Sequence, residues 1–289
     1  MNGIVNVYKP EGITSFDVVR KIRNITRIKK VGHTGTLDPM ACGVLPVCIG
    51  KATKIVDYIM NDYKIYKTQL KLGVVTDTYD REGKIISTSE VNISETDLKN
   101  TINSFKGEIS QIPPMYSAIK VQGKRLYELA RQGIEIERQA RNITLHEINI
   151  LDINLPYVTF EVKCSKGTYI RSLCYDIGTK LNCGGTMWYL ERTESGNFKK
   201  NDSIKLEDIT EDNINDFLIP LDEALDKYKK INVTSKVAKL LINGVEIQNQ
   251  NLLKKFELNK MYRFYTEDEK FIGIGMRKDT GLKIKKLLL

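Results

Sequence analysis

The chain has 289 residues, 41% of them hydrophobic, and carries 45 Lys and Arg against 36 Asp and Glu, a formal net charge of +9. That length suits one large domain and a small one with ample apolar material for a core, and the basic surplus suits a polyanionic partner, since each phosphate neutralised releases condensed counterions. No run of about 18 apolar residues is present, so no membrane span is expected. The opening Met-Asn-Gly-Ile-Val-Asn-Val-Tyr-Lys-Pro lacks the basic stretch and long apolar core of a signal peptide. The odd set Cys42, Cys48, Cys164, Cys174 and Cys183, with no CxxC pair, argues against a disulfide framework or a zinc site and for reduced thiols in a cytoplasm.

In chain order, residues 3–8 alternate as a strand, and Lys9-Pro10-Glu11-Gly12 is a turn. Thr14 or Ser15 caps a helix with Val18, Val19, Ile22 and Ile25 on one face and Arg20, Lys21, Arg23 and Arg27 on the other, followed by Lys29 and Lys30. The basic face leads straight into a glycine-rich loop, which favours an RNA-facing role over a merely solvated one. A helix is predicted over 51–61 and a strand over 64–74, with Tyr66, Thr68, Leu70 and Leu72 on one face. Asp80-Arg81-Glu82-Gly83 is a turn before a strand at 84–88, and Ser94-Glu95-Thr96-Asp97 is a capping box ahead of Leu98, Ile102 and Phe105, with Gly107 at the helix exit. Strands at 115–121 and 134–138 are predicted to flank a short helix at 124–132. A strand pair at 142–153 and 157–164, a helix at 168–182 and a strand at 186–193 follow. Strands and helices without regular βαβ alternation point to an α+β domain with a mainly antiparallel sheet over roughly residues 1–228. Residues 229–289, rich in lysine and short alternating runs, read as a small β-rich domain.

The loop from Gly32 to Gly43 is the most unusual stretch. Its three glycines let the backbone turn sharply or approach a ligand, and Pro39 pushes Asp38 toward an extended conformation. A carboxylate therefore sits on a restrained loop, although Asp-Pro also occurs in plain turns. Other motifs fall away. Gly50-Lys51-Ala52 lacks phosphate-loop spacing, Asp77 to Gly83 lacks calcium-loop spacing, and His33 and His146 are the only histidines, too few to suggest zinc. No nucleophile elbow or dinucleotide fingerprint occurs.

Taken jointly, the motifs are far more specific. Gly32-His33-Thr34-Gly35-Thr36-Leu37-Asp38-Pro39 resembles the signature of the TruB-type tRNA pseudouridine-55 synthases. Further blocks follow in that family's order: Lys9-Pro10 with Gly12 and Thr14-Ser15, Gly50-Lys51-Ala52-Thr53-Lys54, Lys64-Ile65-Tyr66, and Leu72-Gly73 with Thr76-Asp77-Thr78. Residues 111–120 and 123–131 match another block, Cys164-Ser165-Lys166-Gly167-Thr168-Tyr169-Ile170-Arg171 the last, with Tyr189-Leu190 beyond. The likeness spans about residues 3–225; Thr36 and Cys42 depart from the alanine and threonine expected there, and residues 229–289 resemble the family's PUA-like RNA-binding domain loosely.

The resemblance implies isomerisation of the TΨC-loop uridine of tRNA, recognised on the T-arm stem-loop, without metal, cofactor or obligatory protein partner, by a monomer in the cytoplasm. It implies that Asp38 is the catalytic nucleophile and that Arg171 pairs with it, favouring its carboxylate form. The target base must leave its stack. Tyr66 is the matching aromatic platform, while Tyr169 and Leu190 line the same pocket. His33 fills the gap the base leaves. Lys9 and Lys54, with Lys64, Lys120 and Lys124, are implied phosphate contacts; His146 has no assigned role. A non-catalytic tRNA-binding protein, or a synthase for another RNA, would share some of these motifs.

Overall fold

The computed structural model describes residues 1–60, 63–121 and 123–289. Strand β1 (Gly3–Lys9) is buried almost throughout, and Thr14 caps α1 (Ser15–Thr26) in a reciprocal box with Asp17. This helix buries Val18, Val19 and Ile22 and leaves Arg20 and Arg27 exposed. β2 (Val31–His33) and β3 (Cys42–Ile49) flank the glycine-rich loop. The helical pattern over 51–61 is realised in two pieces, a 3₁₀ turn at Gly50–Ile55 and α2 (Val56–Met60); its last position lies outside the described residues. β4 (Lys64–Leu72) buries Lys64, Tyr66, Thr68, Leu70 and Leu72, the set that a period of two requires.

β5 (Val74–Thr76) and β6 (Ile85–Thr88) form a side hairpin, and α3 (Glu95–Asn103) starts at the Ser94 cap. Gly107, expected at the helix exit, opens β7 (Gly107–Gln111). The two strands predicted around the next helix are corrected: only β8 (Lys120–Val121) and β9 (Lys124–Arg125) pair, ahead of α4 (Leu126–Arg131), and 134–138 forms no strand. The alternating Ile134 and Ile136 find no sheet edge to cover them, and Ile134 stays exposed. The position between β8 and β9 at 122 lies outside the described residues.

β10 (Arg141–Asn154) and β11 (Tyr157–Cys164) form a long hairpin, followed by α5 (Ile170–Lys180) and β12 (Gly185–Ser195). Short strands β13 (Phe198–Lys199), β14 (Ile204–Lys205) and β15 (Leu218–Ile219) complete a main sheet of order β14-β1-β3-β12-β4-β11-β10-β7. Its pairs are antiparallel except β1 with β14 and β3 with β12. That parallel contact matters for the site. It sets Cys42 beside Glu191 and Gly43 beside Arg192, while β4 sets Thr68 opposite Leu190 and Tyr66 opposite Arg192. The fold class expected from sequence, a mainly antiparallel α+β domain with a small β unit after it, is the one observed.

That second unit has β16 (Lys229–Asn232), α6 (Ser235–Ile242), α7 (Gln250–Leu253), β17 (Met261–Tyr265), β18 (Phe271–Lys278) and β19 (Gly281–Leu287), with its strands in that order in one sheet. Its two short helices were not expected. It has a core of its own, including Leu241, Phe256, Phe264 and Leu282. A further apolar cluster joins Ile4, Val44 and Ile55 of the large unit to Ile274 and Leu288, so the two pack on shared hydrophobic surface.

Candidate active site

The loop carrying Asp38 is fixed from both sides. Leu37, Met40 and Ala41 are buried around it. The Ser15 hydroxyl accepts from Leu37 N–H (2.8 Å) and donates to Leu37 C=O (3.0 Å), and Gly12 N–H donates to Pro39 C=O (2.8 Å). Ordered neighbours leave the Asp38 side chain itself 34% exposed, open to a ligand. Preorganisation of this kind lets a reacting group act without first being ordered.

Arg171 comes from the first turn of α5, whose start is clamped by Gln111: Tyr169 N–H donates to Gln111 Oε1 (2.8 Å) and Gln111 Nε2 to Tyr169 C=O (3.1 Å). The guanidinium meets Asp38 at two points, Nε to Oδ2 at 3.0 Å and Nη2 to Oδ1 at 3.3 Å. Its other bonds go to Tyr116 C=O (2.7 Å), Thr78 C=O (3.3 Å) and Asp80 Oδ2 (3.4 Å). Arg171 is thus a buried cation between two carboxylates. Planar, two-point pairing fixes carboxylate orientation as a lysine could not.

Asp80 was read in the sequence only as part of a turn. It is buried, and its Oδ1 accepts from Thr78 Oγ1 (2.6 Å) and Glu82 N–H (3.1 Å). Burial raises its carboxyl above the ordinary range, against the pull of Thr78 and Arg171. Its proximity to the Thr76-Asp77-Thr78 block was the one available signal; an aspartate in a turn otherwise reads as solvated.

Tyr66, 7% exposed, packs in the main core with Leu190, opposite Arg192 in the strand register. Burial raises that phenol. Tyr169 also lies beside Arg171 and Asp38, its phenol raised by burial. His33 is on β2, and its Nδ1 accepts from Gly35 N–H (3.2 Å), which assigns the proton of the neutral ring to Nε2. Burial, aided by Arg192, lowers its pKa and keeps it neutral near pH 7. The structure therefore gathers Asp38, Arg171, Tyr66, Tyr169 and Leu190, with His33 at the foot of the same loop.

Lys9 requires correction. As a phosphate contact it would face solvent, yet it is wholly buried, its Nζ donating to the carbonyls of Ile13 (2.7 Å), Pro10 (2.8 Å) and Pro39 (3.3 Å). Burial lowers its pKa to about 8, which still leaves it mostly charged at neutral pH with its three donors used. Lys9 is a strut for the Asp38 loop. Lys9→Met is expected to lower stability by about 2–4 kcal/mol, seen as a reduced urea midpoint, without changing the salt dependence of RNA binding. A shallower salt slope would restore the phosphate contact. Lys54 is exposed on the 3₁₀ turn and donates to Leu287 C=O (3.2 Å), joining the seam with the second unit rather than the Asp38 cluster.

A second buried polar group lies behind the loop. Tyr8 Oη donates to Glu191 Oε1 (2.7 Å), which also binds Lys200 (2.6 Å), while Cys42 Sγ sits 3.4 Å from both the Tyr8 and Tyr189 hydroxyls. The Cys42 departure therefore changes this support. Its thiol makes no contact with Asp38. Among the described residues no group of three or more His, Cys, Asp or Glu side chains is placed to hold a metal ion, and no helix is long and apolar enough to cross a membrane.

Comparison with known proteins agrees with this architecture. A solved chain titled "Crystal Structure of a Cbf5-Nop10-Gar1 Complex" superposes with a TM-score of 0.76 at 25% identity, over 99% of this chain and 85% of that one. Another, titled as an H/ACA RNP bound to a substrate RNA containing 2'-deoxyuridine, gives 0.74 at 23% identity, over 99% and 85%, and speaks to fold alone. The class is thereby set as a pseudouridine synthase fold. Residues 23–170 match the model of the TruB family pseudouridylate synthase N-terminal domain, and 171–226 that of the tRNA pseudouridylate synthase B C-terminal domain. Proteins named tRNA pseudouridine synthase B from Clostridium novyi and Clostridium tetani are 65% and 60% identical, each over 100% of both chains. This chain belongs to the TruB family of pseudouridylate synthases.

Proposed function

We propose that the chain converts uridine-55 in the TΨC loop of tRNA to pseudouridine, with Asp38 as the nucleophile on a flipped-out uridine. Family membership makes it a pseudouridine synthase, and its full-length relatives make tRNA the substrate. Position 55 and the role of the carboxylate are the finer part of the reading. The observation that carries it is a partly open carboxylate, held at two points by a buried guanidinium on a loop whose flanking residues are buried.

The reaction breaks the N1–C1′ bond, turns the uracil and forms C5–C1′. C5 loses a proton and N1 gains one, so atoms and electrons balance without a redox partner. A carboxylate beside the glycosidic bond serves attack at either C1′ or C6 of the uracil. Extruding the base costs about a few kcal/mol; stacking by the neutral His33 ring in the vacated gap offsets part of it. Tyr66, Tyr169 and Leu190 enclose the extruded base, and Tyr66 Oη handles the C5 proton.

Residues 1–228 are the catalytic unit and residues 229–289 a PUA-like RNA-binding unit. In its favour, residues 229–289 contain 14 Lys and Arg against 6 Asp and Glu, so they hold +8 of the net +9. The enzyme works as a monomer, with no obligatory protein partner, where tRNA is found, in the cytoplasm. A purified chain incubated with an isolated T-arm stem-loop, no guide RNA and no second protein, is expected to convert its target uridine. Conversion only with an added guide or protein would refute the reading.

A further inference from the structure

Helix α5 is gripped twice by the same short turn. Its first turn supplies Arg171, whose Nη1 meets Thr78 C=O (3.3 Å) and Asp80 Oδ2 (3.4 Å). One helical turn further on, Tyr175 stacks its ring on that of Tyr79, the residue between those two, with centroids 4.1 Å apart and planes 18° from parallel. Residues four apart lie on one side of a helix, so the polar grip on 171 and the aromatic grip on 175 face the same three residues. Both tyrosines are half-buried.

Tyr79 is held in an uncommon backbone state. Its φ is +62, in the left-handed region that a bulky residue seldom occupies. Glycine would adopt that turn more readily, so what the tyrosine adds is its ring. The main chain around it is tied down: Tyr79 N–H donates to Thr76 C=O (3.2 Å), Met187 N–H donates to Tyr79 C=O (3.0 Å), and Thr76 Oγ1 donates to Asp80 C=O (2.7 Å). These bonds tie the turn to itself and to β12; the stack ties it to α5. Residues kept in sparsely populated conformations persist where their surroundings over-determine them, and they gather where geometry matters to function.

We propose that Tyr79 and Tyr175 are positioning residues for the isomerisation, an aromatic clamp that keeps Thr78 C=O and Asp80 in register with Arg171 and so keeps the guanidinium aimed at Asp38. Neither ring touches the uridine. The clamp acts through Arg171, whose Nε and Nη2 hold the two oxygens of Asp38 at 3.0 and 3.3 Å. Loosening the turn lets the guanidinium tilt, and a misplacement of about 1 Å at a reacting group can cost on the order of 10²-fold in rate. The inference rests on the function proposed above.

The test compares turnover of a T-arm stem-loop by wild type, Tyr79→Ala, Tyr79→Gly, Tyr79→Phe, Tyr175→Ala and the Tyr79→Ala/Tyr175→Ala double variant, with a urea midpoint for each. Either alanine is expected to lower kcat by about 10-fold with KM within about 3-fold. The double variant should be within about 2-fold of the slower single one, since the stack can be lost only once. Tyr79→Phe, which keeps a ring to stack, should restore most of the rate. Tyr79→Gly should be more stable than Tyr79→Ala, because alanine is strained at a positive φ, yet equally slow. With Asp80→Asn already in place, Tyr79→Ala should cost no more than about 3-fold further, because the group it holds is gone. Losses that multiply, a rate that simply follows the urea midpoint, or a raised KM at unchanged kcat would each overturn the clamp. If an alanine variant does not fold, Tyr79→Leu and Tyr175→Leu, which keep apolar bulk but offer no ring, decide the question by the same readings. Wild-type turnover of the stem-loop separately checks the parent reading, so the two failures are told apart.

Discussion

Asp38→Asn is expected to abolish pseudouridine formation, by about 10⁴-fold or more, the scale seen when a catalytic nucleophile is removed. Asparagine keeps the size of the side chain and its contacts to Arg171 through one oxygen, but loses the carboxylate. Because Leu37, Met40 and Ala41 anchor the loop independently, the variant should fold and bind tRNA within about 3-fold of wild type, since phosphate contacts supply most of the affinity. Tritium release from C5-labelled tRNA and a filter-binding isotherm separate the two quantities. Retained turnover would remove Asp38 from the mechanism; a parallel collapse of binding would make it a structural residue.

Arg171→Met is expected to damage activity and stability together. Activity should fall on the order of 10²–10³-fold, as an oriented charge partner of the nucleophile is lost. Stability should fall by about 3–5 kcal/mol near neutral pH, because Asp80 is left as a buried carboxylate without its cation. The sign of the pH dependence follows from Asp80. Its carboxyl is already raised above its unfolded value by burial, and removing Arg171 raises it further. The penalty is therefore complete above the folded pKa and disappears as pH falls below the unfolded one, so the variant's deficit should shrink in acid. Adding Asp80→Asn should recover most of the stability at pH 7 and none of the lost catalysis attributable to Asp38. Urea midpoints at pH 5 and pH 8, alongside turnover, give both answers. Recovery of activity in the double variant would show that Arg171 acts on the fold and not on Asp38.

Much of the fold was legible because one physical pattern ruled each segment. Alternation in 64–72 and the Thr14 and Ser94 caps specify strand and helices locally, and the burial pattern follows them. The failures are tertiary. Residues 134–138 carry an alternating pattern with no edge to join, and the short helices at Ser235–Ile242 and Gln250–Leu253 lie in a segment that reads as β-rich as a whole. At the site, the motifs located Asp38, Tyr66 and Arg171, because an unusual loop and a family resemblance converge on them. Lys9 was misread since lysine is a surface residue by default, and nothing local announces three carbonyls turned toward one ammonium. Asp80 was hidden for the same reason: its importance comes from a partner 91 residues away.

The measurement closest to the centre of this account is position mapping on full-length tRNA transcript treated with the purified chain alone. Carbodiimide modification followed by primer extension reports each pseudouridine as a stop. A single new stop assigning residue 55, absent with the Asp38→Asn chain, is the expected outcome. A transcript without a stop there, or one marked at other uridines instead, would contradict the assignment of this carboxylate to the T-loop base.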